Sequence, residues 1–137
     1  MNLYYKIRNT FIELKYELRS RWQRFKRGYA DSDVWDMDHW FMRTVKLMLI
    51  HLRDCGIGVP NDLYQDVDNK EREKWEAVLT EMIECLELMD EDNAEKYLGI
   101  ADDEWSVDNY NKKWALIEEN KNRFFELFSK HFHSLWD

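Results

Sequence analysis

One proline (Pro60) and four glycines are the only strong backbone punctuation in this chain of 137 residues. A many-stranded β protein needs turn residues at short intervals, and they are missing here. Long helices joined by a few loops are what such a sequence can build. Seven residues each of Trp, Tyr and Phe, burying roughly 150–250 Å² apiece, supply the apolar surface for one core. At this length a single helical domain is expected over residues 1–137, all-α and bundled from about four main helices.

Apolar spacing places those helices. Tyr4, Ile7, Phe11, Leu14, Leu18, Trp22 and Phe25 recur at steps of three and four, which predicts a first helix over about 2–27, stopped by Gly28. Its apolar stripe is expected to close the bundle. A second helix should start at Asp31-Ser32-Asp33, which can cap it, and run to Cys55 before Gly56. Val34, Met37, Phe41, Val45, Met48, Leu52 and Cys55 form its main line. Leu47, Leu49 and Ile50 add apolar surface on other faces, so its second half reads as the most enclosed helix. The clearest loop is 57–62. A third helix is expected over about 69–89, with Trp75, Leu79, Met82, Ile83 and Leu86 inward. A connection at 90–104, with a short helix near 94–98, leads to a last helix over about 105–135, where Trp114 and Phe128 are placed on the buried stripe.

Charge is divided unevenly. Residues 1–29 carry a net +6 and residues 30–137 a net −14, a basic helix (1–27) ahead of an acidic body (28–137). The basic helix could meet an anionic surface or nucleic acid. The favoured reading turns its cations toward the acidic body or a second copy, so homo-oligomers are among the expectations and nucleic acid is the lesser one.

The densest polar segment runs from Arg27 to Trp40. Read as a binding site, Arg27, Tyr29 and Trp35 would stack on or clamp a ligand while Asp31, Asp33 and Asp38 orient it. Read structurally, it is a capped helix start with Trp35 and Trp40 in the core and Arg27 paired to an aspartate. Asp31-x-Asp33 does not open a calcium loop, because the sixth-position glycine and twelfth-position glutamate are missing, the latter replaced by Met42. Glu73-x-x-Glu76, Glu81-x-x-Glu84 and Glu87-x-x-Asp90 resemble the Mg²⁺-holding pairs of all-α nucleoside triphosphate pyrophosphohydrolases, although an acidic outer helix face produces the same spacing.

His39, His51, His131 and His133 do not cluster, and Cys55 and Cys85 sit in apolar patterns as buried thiols. No catalytic residues, metal or cofactor are therefore expected. The chain has no apolar run of membrane-spanning length and no leader-like N-terminus, which points to the cell interior.

The run Arg27-Gly28-Tyr29-Ala30-Asp31-Ser32-Asp33-Val34-Trp35-Asp36-Met37-Asp38 resembles a motif of small acidic proteins of tailed bacteriophages and prophages, Arg-Gly-aromatic-Ser-Asp-x-Asp-x-Trp-x-hydrophobic-Asp. Pro60 before Leu63, Trp75 with Leu79, Met82 and Ile83, and the closing Leu135-Trp136-Asp137 extend it from about residue 27 to the end. Ala30 stands where the pattern has Ser. The resemblance implies a phage origin and a host cytoplasm, and no activity. The function expected is accessory and non-enzymatic: binding a host or phage macromolecule, a protein before others, during takeover or counter-defence. A small-nucleotide-sequestering protein and a Mg²⁺-dependent pyrophosphohydrolase are the alternatives.

Overall fold

The computed structural model describes residues 3–60, 63, 70–101 and 106–136, with the backbone alone for 3–5. The Tyr4 side chain, Asn61 and Asp62 of the expected loop, the expected helix start at Asn69, residues 102–105 and the terminal Asp137 lie outside the described residues. Among those described there are six α-helices and no strand: α1 (Leu3–Arg27), α2 (Asp31–Trp35), α3 (Met37–Cys55), α4 (Glu71–Leu88), α5 (Glu91–Leu98) and α6 (Val107–His131), followed by a 3₁₀ turn at Phe132–Ser134. The all-α expectation holds, with four long helices and two short ones. The chain forms two compact units, Met1–Trp40 and Phe41–Asp137.

In the first unit α1 ends because Gly28 takes φ +83°, a left-handed conformation that costs a glycine little. Its N–H donates to the Arg24 carbonyl at 2.9 Å. The expected second helix is in fact two. Asp36, at φ −119° and ψ 53°, breaks it between α2 and α3. The cap also differs from expectation: the N-cap is Ala30, which has no side-chain acceptor, and Asp33 at the third position reaches back to the Ala30 N–H at 2.8 Å. That is half of a capping box. The large apolar residues described on α1 are not buried, ranging from 41% exposed (Ile12) to 84% (Phe25).

The second unit is organised on α4. Trp75, Leu79, Met82, Ile83 and Leu86 are all buried, as their spacing requires. They pack with Phe124 and Leu127 of α6 and Leu49 of α3. The Trp75 ring lies 5.4 Å from that of His131, which is buried too. Phe41 meets Phe124 and Phe128 edge-on at 6.1 and 6.3 Å. Side-chain ties complete the unit: Arg123 to Glu81 at 2.6 Å, and Lys113 to Glu91 and Glu95 at 2.8 and 2.9 Å. α5 is closed by Asp90 at its start, accepting from the Asn93 N–H at 3.1 Å, and by Gly99 at φ +69° at its end.

Four expectations are corrected. The most enclosed helix is α4, whereas α3 buries only Leu49. Met48, placed on the inward line, is 66% exposed, because that line runs through Phe41, Val45, Leu49 and Leu52 and steps past it. The buried line of α6 is Ile117, Phe124, Leu127 and His131; Trp114 is exposed and rests beside Tyr110, while Phe128 is half-buried at the edge of the core. Cys85 is buried as expected, and burial pushes its thiol pKa up, whereas Cys55, also expected to be buried, is exposed at the last residue of α3.

Phe124→Ala should cost about 3–5 kcal/mol, since it empties a filled site. Trp114→Ala should cost about 1 kcal/mol or less, as surface changes do. Urea denaturation of both variants checks this, and equal losses would contradict the phase of α6.

Candidate functional site

The Arg27–Asp38 segment is a turn held by its own charges. Residues Arg19, Gln23 and Arg27 follow at four-residue steps along α1, so they share a face. All three converge on Asp31. Arg27 pairs with Oδ1, while Gln23 Nε2 and Arg19 Nη2 donate to Oδ2 at 2.6 and 3.2 Å. Gln23 also accepts from the Asp31 N–H at 2.9 Å. Next to this, Arg24 grips Asp33 with both arms of its guanidinium, Nε to Oδ2 at 3.0 Å and Nη2 to Oδ1 at 2.6 Å. Planar forks suit carboxylates in this bidentate way. The Asp33 side chain is only 8% exposed, so this pair is the inner clasp and the Asp31 cluster the outer one.

Of the six residues singled out, Arg27, Tyr29 and Asp31 come together. The Arg27 guanidinium lies 4.6 Å from the Tyr29 ring centre, and its Nε donates to the Tyr29 carbonyl at 3.1 Å. The clamp residues thus engage one another. Asp33 faces inward to Arg24. Trp35 is 89% exposed, against the reading that put it in the core, and Asp38 is exposed on the first turn of α3. A shallow hollow of about 300 Å³ is lined by Tyr29, Asp33, Val34, Met37 and Trp40. It is largely apolar, with Val34 and Met37 both exposed beside Trp35.

One glutamate of each pair on α4 is engaged as well. Glu76 binds Arg72 at 2.6 Å, Glu81 binds Arg123, and Glu87 lies 3.7 Å from Lys46. Arg72 donates in addition to the Gly56 carbonyl at 2.5 Å, so Glu76 positions the group that closes the end of α3.

Sequence reasoning missed a larger feature in the second unit. A groove of about 590 Å³ runs between α3 and the end of α6, lined by Val45, Met48, Leu52, Phe128, Phe132 and Leu135. Leu47, Met48 and Phe132 along it are all more than half exposed, and His51 is the polar group at its wall. The signal was present: α3 is apolar on more than one face, which means either full enclosure or an open binding surface. Comparison of the chain with known protein families, curated proteins and solved structures finds no match.

Two outcomes follow from the clasp. Ala30→Ser supplies the missing cap acceptor and should stabilise the first unit by about 1 kcal/mol, read as a higher melting temperature; no gain would mean the buried site rejects the hydroxyl. Hydrogen bonds from Arg27 first, then Gln23, hold Asp31 below the usual carboxylate range. A depressed folded pKa gives stability that is full above the unfolded value and lost as pH falls through the folded one. Asp31→Asn should therefore flatten the acid side of the stability–pH curve, and an unchanged curve would show that Asp31 contributes nothing.

Proposed function

We propose that this protein acts by binding a host or phage protein in an infected cell, without chemistry of its own. The observation that carries the reading is the open apolar groove between α3 and the end of α6. Exposed leucine, methionine and phenylalanine cost solubility unless a partner covers them, and contiguous patches of this kind mark interaction sites. Methionine and leucine side chains adapt to a partner's shape, and covering each gains roughly 1.5–3 kcal/mol. The groove is almost wholly apolar, which fits two or three anchor side chains from an amphipathic helix. The phage setting rests on the motif from Arg27 to Asp38 and the closing Leu-Trp-Asp. Ion pairs at Glu76, Glu81 and Glu87 weigh against an α4 metal site, since those carboxylates already hold cations of the fold.

The double variant Leu47→Glu/Met48→Glu places two charges on the groove and leaves the core residue Leu49 alone. Its circular dichroism should match the parent, while a protein captured from infected-cell lysate by the parent should bind at least tenfold more weakly. Trp35→Ala, tested in parallel, reports whether the exposed tip near α2 contributes. Undiminished capture by the groove variant would contradict the reading.

A further inference from the structure

The first unit carries a separate feature, independent of the groove. Ile7, Phe11, Leu14, Leu18, Trp22 and Phe25 are all exposed, and at 3.6 residues per turn they fall within a band roughly a quarter of a turn wide along one side of α1. The residues that hold α2 lie elsewhere on the circumference. Arg19, Gln23 and Arg27 sit roughly a quarter to a half turn round from Leu18, and Arg24 a third of a turn the other way. The clasp therefore uses the back of α1 and leaves the apolar side open.

Charge along the borders of this stripe is one-sided in sign. Lys15, Arg8 and Lys26 flank it on one edge and Arg21, paired to Glu17 at 2.8 Å, on the other, whereas Glu13 and Glu17 themselves lie farther round. Lys26 Nζ stands 5.8 Å from the Trp22 ring centre, and Trp22 stacks with Phe25 at 6.0 Å. Long cationic side chains lying along an apolar edge extend it with their methylene stems and keep the charge at its rim.

We propose that α1 is an interfacial helix that lays this stripe into the surface of an anionic lipid bilayer. A second copy fits less well. Two helices of this net positive charge repel, and Phe11, Trp22, Phe25 and a seam-edge arginine are poor knobs for a coiled coil, which wants branched aliphatic residues in its core. Acyl chains accept side chains of any shape, and lipid phosphates neutralise the whole cationic border. The ring of Trp22 suits the headgroup level. Twenty-five residues span about 37 Å at 1.5 Å each, ample for lying in the plane. No described helix is long and apolar enough to cross a membrane, so the helix would rest on the surface.

The test is co-sedimentation of the full chain with vesicles of equimolar phosphatidylglycerol and phosphatidylcholine, and with vesicles of phosphatidylcholine alone. Binding is expected to the anionic vesicles, to weaken as salt is raised, and to fall about fivefold for each cation removed in Arg8→Gln and Lys15→Gln. Leu18→Glu should abolish it with the helical spectrum unchanged, since the site is exposed. Equal binding to both vesicle types, or none to the anionic ones, would overturn the proposal. So would a lipid-free dimer, seen by light scattering and lost in Leu18→Glu, because a second copy would then occupy the stripe. Loss of protein capture in the groove variant leaves vesicle binding unaffected, which keeps the two proposals distinguishable.

Discussion

The packing of α4 against α6 is the interaction on which the second unit depends. Leu79, Met82 and Phe124 are fully buried there, and every other element of the unit is fastened to that pair. α5 is tied to α6 through Lys113, whose ammonium pKa is raised by Glu91 and Glu95. α3 leans on the pair through Phe41 and Leu49. Because α3 touches the core along one narrow line, its remaining apolar side chains stay outside and form one wall of the groove. The same geometry that stabilises the unit thus creates its most distinctive surface.

Much of this was legible in the chain. The α4 line from Trp75 to Leu86 recurs at three- and four-residue steps with Glu76, Glu81 and Glu84 off it, so spacing assigned its inner face. In α6 the phase was ambiguous. Phe124, Phe125 and Phe128 support two overlapping stripes, and only contact with α4 selects the one through Leu127 and His131. A histidine two-thirds of a turn from a competing phenylalanine does not announce itself as core. In α3 the excess of apolar residues was visible, but enclosure and open binding surface share that signature, and a local pattern cannot tell which neighbour is present.

The acidic segment shows a different limit. Basic residues before Gly28 and acidic residues after it are what a charge-clasped turn between two helices requires, and that reading was available beside the ligand-site one. What spacing could not supply was the pairing: Arg24 with Asp33, and Arg27, Gln23 and Arg19 with Asp31. Once those pairs form, Asp31 and Asp33 are turned to α1, and Val34, Trp35 and Met37 lie outward beside the exposed Asp36 and Asp38. The paired polar groups hold the turn, and large apolar side chains stand exposed on it.

Both units leave large apolar side chains exposed beside charges that tie their helices together. Methyl- and indole-detected nuclear magnetic resonance of the free chain, with a soluble paramagnetic agent added, tests that claim most directly. The account predicts strong broadening of the Met48 and Leu47 methyls and the Trp22 and Trp35 indoles, with the Leu79 and Met82 methyls and the Trp75 indole spared. Protection of Leu47, Met48, Trp22 and Trp35 equal to that of Trp75 would contradict it.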